Sequence, residues 1–107
     1  MKTKIIDFEK NNGLIPTIIQ DNQTLEVYML GYNNKESLEK TKSSGFVWFY
    51  SRSRKKLWMK GEESGNKLNV VNMYSDCDGD TILIKVDLIG KNVCHTGNKS
   101  CFYKKLL

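Results

Sequence analysis

Asp76, Asp78 and Asp80 place three carboxylates at alternate positions, with Cys77 between the first two. Like charges this close repel one another, and a fold that gathers them commonly neutralises them with a cation. Oxygen donors suit a hard ion such as Mg²⁺ or Ca²⁺, whereas a thiol suits a softer one such as Zn²⁺. Alternation along an extended segment sends the carboxylates to one side and the thiol to the other. Asp78-Gly79-Asp80 is also good turn chemistry, so a surface turn without an ion is the competing reading. An EF-hand loop is excluded. Its glycine would fall at Thr81 and its bidentate glutamate at Asp87, and the flanks read as strands.

Three cysteines cannot all pair within one chain. Sixteen residues separate Cys77 from Cys94, and six separate Cys94 from Cys101. No CxxC knuckle is present, which argues against a structural zinc ribbon. Three thiolates leave a tetrahedral ion one open position, the arrangement of a catalytic site in which bound water ionises near neutral pH. The bland alternative is three unrelated free thiols. Cys94 and Cys101, however, sit in polar, Gly-bearing loop sequence, where a core cysteine has little reason to be. His95 is the only histidine and adjoins Cys94. It is therefore a candidate ligand or proton carrier, set against an ordinary structural histidine. Arg52 and Arg54, with Ser51, Ser53, Lys60 and the Ser64-Gly65-Asn66 loop, offer forks, hydroxyls and loop N–H groups for a phosphate. The plainer reading is a solvated basic turn, to which Lys55 and Lys56 belong.

These residues need elements to position them. Gly13 to Asp21 runs from a turn glycine into a short apolar strand, and Pro16 marks the strand's start or a sheet edge. Residues 24–32 are rich in strand formers and pair with that first run. Asn33 with Glu36 three residues on is a capping-box pattern. It opens one short helix over about 34–44, with Glu36 and Lys40 paired, Leu38 as the main apolar residue and Gly45 as the stop. Phe46 to Tyr50 reads as a strand, Leu57 to Lys60 as its return, and residues 61–66 as a loop. Leu68 to Tyr74 enters the acidic run. Thr81 to Leu88 leaves it, with Ile82, Ile84, Val86 and Leu88 on one face. Residues 94–102 lack periodicity and read as a loop held by something other than packing. The expected fold is α+β and β-rich, a mainly antiparallel sheet with one helix.

A chain of 107 residues that is 39% hydrophobic bounds this to a single small domain over 1–107, with a modest core that a metal or partner subunit would help to stabilise. No apolar run approaches a membrane span, and the start lacks a secretion signal. A cytoplasmic protein without membrane partners is the expectation, in which thiolate ligation is favoured over a disulfide. A net charge of +5 suggests anionic partners without choosing among them.

Taken in order, Asn12-Gly13-Leu14-Ile15-Pro16, Gln20-Asp21, Ser51-Arg52-Ser53-Arg54, Leu57-Trp58-Met59-Lys60-Gly61-Glu62, Ser64-Gly65, Asp76-Cys77-Asp78-Gly79-Asp80 and Cys94-His95-Thr96-Gly97 with Cys101-Phe102 resemble the phosphoribosyl-AMP cyclohydrolases of histidine biosynthesis. The resemblance covers Phe8 to Phe102. It implies zinc at Cys77, Cys94 and Cys101 and magnesium at Asp76, Asp78 and Asp80. It also implies an intertwined homodimer in which Cys77 of one subunit completes zinc with Cys94 and Cys101 of the other. Family members are often fused to a phosphoribosyl-ATP pyrophosphohydrolase domain, an activity here expected from another polypeptide. The implied reaction is hydrolytic opening of the adenine ring of phosphoribosyl-AMP at N1–C6. Zinc would activate the water, His95 would move a proton, and Arg52, Arg54, Lys60 and Ser64 would hold the phosphates. The chain departs from the family pattern at Glu63, at Lys67-Leu68, and at Tyr28 and Asn33. Glu63 puts negative charge beside the expected phosphate loop.

A different class, a small zinc-stabilised nucleic-acid-binding module, would use the basic run and the aromatics of Phe46–Tyr50. Three aspartates on the same small domain argue against a nucleic-acid partner.

Overall fold

A computed structural model describes residues 6–107; the signal-free reading of Met1–Ile5 lies outside them. After a 3-10 turn at Lys10–Gly13 come strands β1 (Ile15–Asp21) and β2 (Val27–Asn33), helix α1 (Lys35–Ser44), and strands β3 (Trp48–Ser51), β4 (Lys56–Met59), β5 (Lys67–Ser75) and β6 (Ile82–Ile89). Four strands form one sheet in the order β2-β1-β6-β5, and β3 and β4 form a separate hairpin. The pairs β1–β2 and β5–β6 are antiparallel, as the sequence led us to expect for a mainly antiparallel fold. The central pair β1–β6 is parallel, from Thr17 opposite Ile82 to Asp21 opposite Val86.

Period-two alternation explains the strands. β1 buries Ile15, Thr17 and Ile19 on one face, and β6 buries Ile82, Ile84 and Val86. Pro16 sits opposite Tyr32 of β2, before the β6 ladder begins at Thr17. It therefore occupies the part of β1 where one neighbour is lacking, which is where a residue without an N–H fits. The face is closed by α1 through Leu38 and by the hairpin through Phe49, whose ring stacks on Trp58 at 5.3 Å. β2 passes close to that ring: a Cβ at Gly31 would lie 2.5 Å from Phe49.

The helix starts one residue later than the Asn33 reading. Asn34 is the N-cap, and its side chain accepts from the Ser37 backbone N–H at 2.8 Å. Ser37, rather than Glu36, returns the bond by accepting from the Asn34 N–H at 3.0 Å. Asn33 is unavailable as a cap because it is wholly buried. It accepts from Thr17 Oγ1 at 2.6 Å and donates to Ser37 Oγ at 2.8 Å and to the Trp48 carbonyl at 2.7 Å. This satisfied network ties β1, β2, α1 and β3 together. Gly45 ends the helix in the left-handed region as expected. Lys40 does not pair with Glu36; its ammonium lies 5.0 Å over the Trp48 ring. Among the described residues, no helix is long and apolar enough to cross a membrane.

Candidate active site

Cys94 and Cys101 lie on a compact turn beyond β6. The backbone closes on itself through Val93 N–H to Lys99 O, Cys94 N–H to Asn98 O and Gly97 N–H to Cys94 O. Ser100 Oγ donates to the Val27 carbonyl at 2.7 Å, and Cys101 N–H donates to the Tyr28 carbonyl at 2.8 Å. These bonds pin the turn to the start of β2, so the segment that lacked periodicity is held by hydrogen bonds. The two thiols interact, each perturbing the other, and the Lys60 charge acts on both. Thr96 Oγ1 lies 3.0 Å from Cys94 Sγ and also accepts from Asn98 Nδ2, which leaves its hydroxyl proton free for the sulfur. That hydroxyl, then the Thr96 N–H, draws the Cys94 thiol below its ordinary pKa. Removal from water and the neighbouring Cys94 push Cys101 up. His95 is exposed on the same turn, next to the pair.

The acidic run sits elsewhere. It bridges β5 to β6 as a turn with Gly79 in the left-handed region, and Asp76 Oδ1 accepts from the N–H groups of Asp80 and Thr81 at 3.1 and 3.3 Å. Partial desolvation works the other way, but these N–H bonds hold the Asp76 carboxyl below its usual range. Oxygens of Asp76, Asp78 and Asp80 all lie within 4.8 Å of one another. That donor set fits a hard divalent cation. Lys10 Nζ stands 3.4 Å from Asp80 Oδ2. Cys77 is exposed and its thiol donates to Asp78 Oδ1 at 3.1 Å, a bond that raises its pKa. It is not gathered with the other cysteines. Cys77 precedes β6 and Cys94 follows it, and an eight-residue strand spans about 23 Å. The cysteine pair, with its two interacting thiols, fits a soft ion but offers only part of a tetrahedral set.

The expected phosphate residues fall in different places. Arg52 lies over Tyr32, with its guanidinium carbon 4.1 Å from the ring centroid, and lines a cleft with Trp58. Arg54 is exposed on the hairpin turn, where its N–H donates to Ser51 Oγ at 3.2 Å. Lys60 stands 5.9 Å over Trp58, and its charge acts on the cysteine pair. Ser64 Oγ accepts from the Asn66 N–H at 3.1 Å, with Glu63 exposed beside it. Tyr32 was missed in the sequence. A tyrosine in a strand looks like any β-former, and only its Arg52 neighbour distinguishes it. The aromatics of Phe46–Tyr50 do not form an open stacking face: Phe49 is buried, Lys67 covers Phe46 and Lys40 covers Trp48.

The profile of the family described as PRA-CH, phosphoribosyl-AMP cyclohydrolase, matches residues 29–103, well over half the chain. The chain belongs to this family. Curated proteins named phosphoribosyl-AMP cyclohydrolase agree along nearly its whole length. That of Clostridium botulinum strain 657 is 59% identical over 97% of this chain and 94% of its own. That of Geobacter sp. strain M21 is 56% identical over 94% of this chain and 80% of its own. As a phosphoribosyl-AMP cyclohydrolase family member the chain is an enzyme, and the matched span holds Arg52, Lys60, the acidic run and all three cysteines.

Proposed function

We propose that this enzyme hydrolyses the N1–C6 bond of the adenine ring of 1-(5-phosphoribosyl)-AMP, a step of L-histidine biosynthesis in the cytoplasm. The observation that carries the reading is the turn that brings Cys94 and Cys101 to interact, pinned to the start of the β2 strand that lines the Arg52 cleft, in a chain of this family. Cys94 and Cys101, with Cys77 of a second copy, would hold zinc. Two features support sharing: the paired thiols form an incomplete set, and Cys77 stands a strand's length away. Zinc, when bound, supplies a Lewis acid that lowers the pKa of water. Asp76, Asp78 and Asp80 would hold magnesium.

The chain's own residues then do the following. Trp58 walls the cleft that would take the substrate, and Lys60 adds positive charge that acts on the thiols. Water adds to C6, the C6–N1 bond breaks, N1 leaves protonated and C6 becomes a carboxamide carbon. His95, exposed and adjacent to Cys94, moves the proton from the water towards N1. Arg52 and Arg54 carry charge for the phosphates, and Ser64 presents its loop to the same anionic substrate.

Chelated protein, resupplied with Zn²⁺ and Mg²⁺ separately and together, tests this by absorbance of ring opening. Turnover is expected only with zinc present, and a folded protein inactive under every metal condition would contradict the reading. His95→Ala is expected to retain zinc and lose about 10²-fold or more in kcat. Near-normal turnover would remove the proton role.

A further inference from the structure

Two clefts meet at the stacked Arg52. The first, about 630 Å³, runs beside β2 from Met29 to Tyr32 and is walled by Phe49, Ser51 and Trp58. The second, about 430 Å³, is bounded by Asn12, Leu14 and Pro16, and shares Tyr32 and Arg52 with the first. The Tyr32–Arg52 stack is thus the partition between them. Among the described residues, no acceptor takes a hydrogen bond from the Arg52 guanidinium and no carboxylate pairs with it; the ion pairs are Lys10–Asp80 and Lys99–Glu26.

A guanidinium laid on an aromatic face keeps its N–H donors pointing outward at its edge. That edge matches a phosphate bidentately, and stacking fixes its plane before the ligand arrives. An unpaired arginine held in this way, in a cleft that also bears the Ser51 and Ser53 hydroxyls, is arranged to receive an anion. The cleft also has a direction. At its Met29 end it adjoins Tyr28, whose carbonyl accepts from the Cys101 N–H at 2.8 Å, so that end lies towards the cysteine turn. From Met29 to Tyr32 the strand advances about 10 Å. A purine at the Met29 end would extend one ribose 5-phosphate arm along β2 towards Arg52.

We infer that this first cleft is the subsite for one phosphoribosyl arm of the substrate, with the Arg52 edge on its 5′-phosphate and Tyr32 as the positioning residue that holds Arg52. The inference deepens the phosphoribosyl-AMP reading and rests on it for the identity of the whole substrate. The phosphate subsite itself is tested independently, with ribose 5-phosphate as the probe.

Four variants decide it: Arg52→Gln, Arg52→Lys, Tyr32→Phe and Tyr32→Leu, each checked for folding by circular dichroism. Arg52→Gln should raise KM for phosphoribosyl-AMP by about 10- to 100-fold with kcat little changed. Arg52→Lys should recover only part, because an ammonium lacks the fork. Tyr32→Phe keeps the ring face and should behave as wild type, whereas Tyr32→Leu should raise KM towards that of Arg52→Gln. Adding Tyr32→Leu to Arg52→Gln should change KM no further, since a residue acting through Arg52 has nothing left to position. Wild-type KM in both Arg52→Gln and Tyr32→Leu, fully additive effects, or damage from Tyr32→Phe equal to that from Tyr32→Leu would each overturn the inference.

Quenching of tryptophan fluorescence by ribose 5-phosphate is read in parallel. Quenching in wild type that is lost in Arg52→Gln supports the subsite even if wild type fails to turn over phosphoribosyl-AMP, which would sink the functional reading alone. Quenching that persists unchanged in Arg52→Gln would overturn the subsite.

Discussion

Asn33 and Tyr28 acquire reasons once their partners are in place. Asn33 has Thr17, Ser37 and the Trp48 carbonyl around it, so a polar side chain at a fully buried site is satisfied rather than costly. Tyr28 places its hydroxyl 2.7 Å from Asp21 Oδ1, and burial followed by that carboxylate raises the phenol well above its ordinary range. No single-residue cue in the sequence revealed either network, because each depends on partners from distant elements. The acidic run was visible for the opposite reason: its carboxylates stand close together in sequence, and the turn keeps their oxygens within 4.8 Å of one another.

Asp21 gives a pH test at this scale. The N–H of Thr24 lowers its carboxyl pKa; desolvation opposes this, and Tyr28 and the Gln23 N–H reinforce it. The folded value therefore lies below the ordinary value near 3.8. A carboxyl depressed on folding contributes stability above its unfolded pKa and loses it as pH falls through its folded pKa. Asp21→Asn keeps an acceptor for Tyr28 but cannot ionise. Urea unfolding should show the variant less stable by about 1–3 kcal/mol at pH 7, with the gap closing as pH falls below 3.8. A gap unchanged between pH 7 and pH 2.5 would show that Asp21 acts without its charge.

Among the elements, alternation in Ile15–Asp21 and Ile82–Ile89 made the strands legible, and Gly45 marked the helix stop. The parallel β1–β6 pairing was not legible, since strands so far apart in sequence share no turn to fix their direction. The cap moved from Asn33 to Asn34 because two adjacent asparagines compete and burial claims the first. The placement of the β3–β4 hairpin rests on a close approach that a sequence does not show: Gly31 against the Phe49 ring. That contact also sets the wall of the Arg52 cleft. Gly31→Ala should displace the hairpin, cost about 1–3 kcal/mol in denaturant unfolding, and raise KM more than it lowers kcat. Wild-type stability and KM would mean that Phe49 yields without moving the cleft.

At the scale of the molecule, the sheet separates two chemistries. The acidic run with Cys77 occupies one end of β6, and Cys94, Cys101 and Lys60 gather at the other. Composition and motif order pointed to the thiols as one ligand set; the strand between them shows why one copy does not assemble it. The proposed function therefore requires cysteines from two copies. Cys77→Ala and Cys101→Ala should each be inactive alone. Unfolded, mixed in equal amounts and refolded together with Zn²⁺ and Mg²⁺, they should regain about a quarter of wild-type turnover of phosphoribosyl-AMP, because half of the randomly formed two-fold dimers carry one intact site of two. Activity in Cys77→Ala refolded alone, or no recovery in a mixture shown to contain folded dimers, would contradict the claim.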